Sequence, residues 1–256
     1  MKEIKLKRSW LSPKDRLIIS IDVSTRKEAI NLCKKISGGV TTLKIGLELL
    51  YSAGLGIIDT IKSFGYRVML DAKLLDIPNT ISGAARAIAG LGVSAVTIHS
   101  TGGKQMLVSA AEAVEEKARL EARIKPLLFA VTVLTSLDNE DLESIGFKED
   151  FSRSVLNLSK VAVESGMDGI ICSPNEVEVV RRLLGNDFYI ATPGVRLPGD
   201  SANDQKRINT PAEAISKGAD FIIVGRSITA REDTEEVIGH YIKEIERAIN
   251  INDRSC

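Results

Sequence analysis

Eight short runs of aliphatic and β-branched residues recur along the chain, and segments of helical period alternate with them. The runs are RLIISIDV (16–23), TTLKIG (41–46), RVMLDAK (67–73), SAVTIHS (94–100) and KPLLFAVTVL (125–134), then DGIICS (168–173), FYIATPG (188–194) and ADFIIVG (219–225). Helix candidates among them are TRKEAINLCKKI (25–36), NTISGAARAIAGLG (79–92), GKQMLVSAAEAVEEKARLEA (103–122) and SRSVLNLSKVAVESG (152–166). Three more are PNEVEVVRRLLG (174–185), TPAEAISKG (210–218) and DTEEVIGHYIKEIERAIN (233–250). Parallel strands need crossover connections, so this alternation argues an α/β fold with a parallel sheet covered by helices. Eight units point to closure as a single (β/α)8 TIM barrel. An open doubly wound sheet is the alternative, but no GxGxxG turn follows the first strand, which runs into Ile21-Asp22-Val23-Ser24.

A chain of 256 residues suits that architecture, since such barrels use about 250 residues for one domain. No linker rich in Pro, Gly or Ser breaks the series, so residues 1–256 read as one barrel domain with 1–15 as an N-terminal extension. The least regular stretches, 135–151 and 195–209, both follow strands, where barrel active-site loops lie. Lysine and arginine (34) cancel aspartate and glutamate (34), which gives no basic excess to argue for a nucleic acid or an anionic membrane as partner. No apolar run approaches the length of a membrane span, and the N-terminal sequence lacks the apolar stretch of a secretion signal. Cys33, Cys172 and Cys256 are few, odd in number and scattered, so the expectation is a reducing cytoplasm with no disulfide framework.

Charge falls where strands end. In a barrel, the inward residues at the C-terminal ends of the strands line the active site. Asp22 ends the first run and Lys44 stands near the end of the second. The third carries Asp71 and Lys73, two residues apart and therefore on one face, and Asp76 follows three residues on. Each has an ordinary reading as a helix start or an ion pair. Four charges of alternating sign (Lys44, Asp71, Lys73, Asp76) on one mouth are expensive to bury without a task. Flanking carboxylates would hold Lys73 as an ammonium, able to deliver a proton to a carbanion as it forms. The carboxylates could equally bind a metal, and spacing alone does not decide.

The stretch LDAKLLDIPNT (70–80) resembles the DxKxxD signature of the orotidine 5′-phosphate decarboxylase family, and ATPGVRLPGD (191–200) resembles its bacterial-type branch. ISIDV, LKIG, TIHSTGG, TVLTS and VGRSIT follow in the family's order. The resemblance implies decarboxylation of orotidine 5′-monophosphate to UMP without metal or cofactor. It makes Lys73 the proton donor to C6, Asp71 the charge facing the departing carboxylate, and Lys44 the partner of Asp71 and a ribose contact. Asp22 would also contact the ribose. Asp76 would act across a homodimer interface in the neighbour's site, with Ile77 and Thr80 in the same shared region. Leu74-Leu75 replace the Phe-His of many relatives, a change expected to alter packing only.

A phosphate needs backbone N–H groups at a helix start plus a cation. Gly225 and Arg226, after the last strand, offer both. The resemblance assigns phosphate contacts to Arg196, Gln205, the Gly225 backbone and Arg226, and places Pro193 among the substrate contacts. Residues 195–209 form a polar loop suited to act as a lid. Thr135 and Ser136 both match the group that reads the pyrimidine. His99 and His240, the only histidines, are too few for a histidine metal site; His99 reads as structural at the mouth and His240 as surface or packing. Two other readings stand beside this one. A magnesium-dependent 3-keto-gulonate-phosphate decarboxylase or hexulose-phosphate synthase would carry a metal-binding glutamate where Lys44 stands. A non-catalytic nucleotide-binding barrel would have no need of a buried proton donor.

Overall fold

The structure, a computed structural model, describes residues 11–198 and 209–253. A one-turn helix α1 (Pro13–Arg16) enters β1 (Leu17–Ile21), followed by α2 (Arg26–Lys35) and β2 (Thr42–Ile45). Two short helices, α3 (Leu47–Ala53) and α4 (Gly56–Lys62), lead to β3 (Arg67–Leu74). Then come α5 (Pro78–Gly90), β4 (Ala95–His99), a 3-10 turn (Ser100–Gly102), α6 (Gly103–Leu120) and β5 (Leu127–Val131). The chain continues through α7 (Asn139–Ser144), α8 (Phe151–Glu164), β6 (Gly169–Ile171), α9 (Val177–Leu184) and β7 (Tyr189–Pro193). It closes with α10 (Pro211–Ser216), β8 (Phe221–Val224), α11 (Arg226–Thr229) and α12 (Thr234–Asp253). The strands pair in sequence order, all parallel, and β1 pairs with β8 to close the barrel. The expected (β/α)8 barrel is therefore what forms.

All eight strand runs become strands, seven of them trimmed at their ends and the third extended by one residue to Leu74. The residues cut from the C-terminal ends, such as Asp22, Val133 and Leu134, become the loops around the mouth. The segment between β2 and β3, not among the helices named from the sequence, is helical but broken. Gly54 adopts φ 69°, a left-handed conformation that suits glycine, and ends α3 after seven residues. A capping box at Asp138, in which Asp138 and Asp141 each accept the other's backbone N–H, starts α7 inside the stretch read as irregular.

Apolar residues divide into two sets. One lies between the sheet and the helices, and the other fills the barrel. Inside, Ile18, Met69, Ala95, Phe129, Tyr189 and Phe221 pack the lower levels, with the rings of Phe129 and Phe221 edge to face at 5.9 Å. A Cβ on Gly169 would sit 2.6 Å from the Phe129 ring, so β6 needs glycine to let that ring lie across the barrel. The base is closed by the start of the described chain. Leu11 packs into the interior, Ser12 caps α1 against Asp15, and Asp15 receives the guanidinium of Arg67 and the hydroxyl of Thr41. Residues 11–15 of the expected extension thus pack across the bottom. No helix among the described residues is long and apolar enough to cross a membrane.

Candidate active site

The open end holds a cleft of about 260 Å³ lined by strand ends and the loops that follow them. Its centre is Asp71, 6% exposed. One carboxylate oxygen accepts both Lys44 Nζ (2.8 Å) and Lys73 Nζ (2.7 Å), and the other accepts the Thr97 hydroxyl (2.8 Å). Burial alone would raise the pKa of this carboxyl. The two ammonium groups outweigh it and hold the value down at about 2, so Asp71 is ionised at any working pH.

Asp71 and Lys73 converge as their spacing predicts, but regular strand geometry is not the cause. The pairing of β3 with β4 shifts register between Leu70 and Leu74, and Lys73 takes φ 48°. A side-chain-bearing residue in that conformation stores about 1–3 kcal/mol. The Lys73 backbone N–H, displaced from the ladder, donates to Thr97 Oγ1 at 2.9 Å. Lys44 also lies 3.8 Å from Asp22, whose other carboxylate oxygen accepts the Ser20 hydroxyl at 2.8 Å. A Cβ on Gly46 would stand 2.4 Å from Asp22 Oδ1, so Asp22 can hold this position only because residue 46 is glycine.

Opposite this array stands a cationic end. Arg196 is 6% exposed; it bonds the Ser227 hydroxyl on α11, and its Nε has no hydrogen-bond partner among the described residues. A bridge between Val195 and Asn209, with Arg196 N–H donating to Asn209 O at 3.0 Å, pins the base of the loop. Asn209 is itself held by Asn175 (3.0 Å) and Lys217 (2.8 Å). Pro193, Gly225 and Arg226 line the same cleft. Between the two ends the walls are apolar, with Val131, Ile171 and Ile223, and Thr135 at the rim. Of the alternatives Thr135 and Ser136, only Thr135 faces the cleft. Four cations face two carboxylates among the described lining residues, a surplus that suits an anionic ligand.

Asp76, Ile77 and Thr80 lie outside the cleft of their own chain, on exposed surface. Asp76 accepts the Ile77 backbone N–H at 2.6 Å, just before α5, and makes no ion pair with Lys73. Gln205 lies outside the described residues. His99 is half-buried near the array; burial, and then the charge of Lys73, lower its pKa. His240 is exposed on α12. Cys33 and Cys172 are buried free thiols, and burial raises both pKa values, Cys33 to about 11. Among the described residues no three His, Cys, Asp or Glu side chains are grouped to hold a metal ion. Sequence reasoning missed Thr97, Ser20, Gly46 and Ser227. Glycine after the LKI run was the one available signal, as an interruption of a strand pattern.

A parallel barrel with a Lys–Asp–Lys array at one side of its mouth and a buried arginine at the other defines an enzyme for a phosphorylated, anionic substrate. The match to known proteins agrees. The chain belongs to the orotidine 5′-phosphate decarboxylase / HUMPS family, whose model matches residues 15–241. It is 39% identical over 236 residues to an orotidine 5′-phosphate decarboxylase of Carboxydothermus hydrogenoformans, covering 92% of this chain and 98% of that one. It is 44% identical over 222 residues to the Nostoc sp. protein of the same name, covering 86% and 93%. The crystal structure of the Lactobacillus acidophilus orotidine 5′-phosphate decarboxylase superposes with a TM-score of 0.80 at 34% identity, over 90% of this chain and 99% of that one.

Proposed function

We propose that this chain is a carboxy-lyase that converts orotidine 5′-monophosphate to UMP and carbon dioxide, the closing step of de novo pyrimidine biosynthesis. The observation that carries the reading is the triplet of Lys44, Asp71 and Lys73, with Lys44 and Asp71 buried and Lys73 part-exposed at the cleft, two ammonium groups within 2.8 Å of one carboxylate. The phosphate lies at Arg196 and the start of α11, with Gly225 and Arg226 beside it and Pro193 along the way. The ribose meets Asp22 and Lys44. The pyrimidine enters the apolar walls, with Thr135 reading its polar edge. This orientation turns C6 and its carboxylate towards Asp71 and Lys73.

The chemistry follows from charge. Asp71, ionised at working pH, faces the substrate carboxylate, and their repulsion ends when carbon dioxide leaves. The electron pair of the broken C6–C bond stays on C6 as a vinyl carbanion. Lys44 and Lys73 remain as fixed positive charges that need no reorganisation to stabilise it. Lys73 transfers its proton to C6, and the neutral amine recovers a proton from solvent.

No metal has a role in this scheme. Lys44, 2.8 Å from Asp71, sets a positive charge where Mg²⁺ would have to approach that carboxylate, which disfavours the magnesium-dependent alternative. The protein works as a two-fold dimer in the cytoplasm, with Asp76, Ile77 and Thr80 completing the partner's site. Exposed apolar side chains beside Asp76, Leu75 at 55% and Ile77 at 65%, support a covered surface there. Following the ultraviolet loss of orotidylate with and without EDTA tests the activity and the metal together. The expected outcome is turnover that EDTA leaves unchanged. Absence of turnover overturns the activity, and loss restored by Mg²⁺ overturns the metal-free mechanism.

A further inference from the structure

We propose that Thr97 is a positioning residue for this decarboxylation, its single hydroxyl aligning both Asp71 and Lys73. The inference rests on the decarboxylase reading above. Thr97 lies in the middle of β4, inaccessible to solvent. Its Oγ1 accepts the Lys73 backbone N–H at 2.9 Å and donates to Asp71 Oδ1 at 2.8 Å. The direction of both bonds is forced. A backbone N–H can only donate and an ionised carboxylate can only accept, so the threonine proton must point at Asp71.

Two consequences follow for the reacting groups. Asp71 Oδ2 is taken by the two ammonium groups, so the bond from Thr97 to Oδ1 holds the second oxygen and stops the carboxylate rotating. The register shift in β3 leaves Lys73 with φ 48°, and the Thr97 hydroxyl receives its N–H at that shift. The hydroxyl therefore supports the left-handed turn that aims Lys73 back at Asp71. Valine has the same shape and branching as threonine but can do neither. It would leave a buried N–H unpaired and one oxygen of Asp71 free.

The test compares wild type with Thr97→Val, Thr97→Ser and Thr97→Cys, measuring kcat and KM for orotidylate and the inhibition constant of UMP. In Thr97→Val, kcat should fall about 10- to 100-fold, as for loss of one buried, well-aligned hydrogen-bonding group. KM and UMP inhibition should change less than about threefold, because Arg196 and the phosphate end are untouched. Serine keeps the hydroxyl and should recover kcat to within about threefold of wild type, with cysteine, a weak donor, between serine and valine. Wild-type kcat in the valine variant, or a serine variant as slow as the valine one, overturns the inference. If the valine variant does not fold, the serine–cysteine pair decides, and equal kcat for those two overturns it. A wild-type protein that does not turn over orotidylate would instead overturn the decarboxylase reading, and this inference with it.

Discussion

Both ends of the barrel bury charged side chains, but they dispose of the charge differently. At the bottom, Asp220 and Asp168 are each bonded to strand backbone as well as to a cation. Asp220 accepts Arg181 Nη2 (2.5 Å) and the N–H of Ile190 (2.8 Å), while Arg181 also donates to the carbonyls of Gly218 and Phe188. Asp168 likewise accepts Lys125 Nζ (2.7 Å) and the N–H of Leu128 (2.9 Å). These ion pairs sew the start of one strand to the next, and the guanidinium of Arg181 spends its donors within the protein. At the top, one carboxylate is shared by two lysines, and Arg196 keeps a buried Nε unpartnered among the described residues. Charge satisfied by backbone is architecture. Charge left in surplus around a cleft is chemistry waiting for a ligand.

The sharpest way to break this contrast is to remove one charge from each end. Lys73→Ala should lower kcat by about 10⁴-fold, the upper range for a positioned general acid, while UMP binding and the fold persist. Asp220→Asn should do the reverse. It leaves Arg181 buried without its counter-ion, so unfolding free energy should fall by about 3–5 kcal/mol, with kcat per folded molecule unchanged. Urea titration and steady-state kinetics on both proteins decide the matter. A stable, inactive Asp220→Asn protein, or an unfolded Lys73→Ala one, would erase the distinction.

A second test sharpens the comparison at the top alone, by asking whether that end is complete in one chain. Mixing inactive Asp76→Ala and Lys73→Ala proteins under conditions of subunit exchange should restore about a quarter of wild-type activity. Half of the random dimers are mixed, and each has one whole site of two. No recovery after confirmed exchange would mean that Asp76 works within its own chain.

How much of this was legible follows the same division. The eight strands could be read because parallel strands covered on both sides are nearly continuous apolar runs, as in LIISI of β1 or FIIV of β8. The pair α3 and α4 could not, since each has only seven residues and Gly54 interrupts their pattern. Charged residues at strand ends stood out because burying charge is costly. Thr97 and Ser20 did not, because hydroxyl residues are common in strands, and the importance of Thr97 depends on a register shift that no local pattern encodes. The convergence of Asp71 and Lys73 was anticipated from a period of two, but the structure reaches it through the left-handed turn at Lys73.

The smallest effect belongs to His99, which sits between the two behaviours. It ends β4 near the array, half-buried, and carries no catalytic task in the scheme above. Burial lowers its pKa below the usual 6.5, and the Lys73 charge lowers it further, against a weaker opposing pull from Asp71. The unfolded chain therefore binds the proton more readily than the folded one. Stability from keeping His99 neutral is present above about pH 6.5 and is lost as pH falls through the lowered folded value. Asp71, with its pKa near 2, stays ionised throughout that range and adds no slope of its own. Between pH 7.5 and 5.5 the wild-type Tm should fall, and His99→Gln should recover about 1–2 °C of that fall, a small effect because solvent screens a half-exposed ring. Scanning calorimetry at the two pH values reads it directly. Equal pH slopes for the two proteins would show that the charge surplus at the mouth is not felt at His99, and that the functional end of the barrel stops at Lys73.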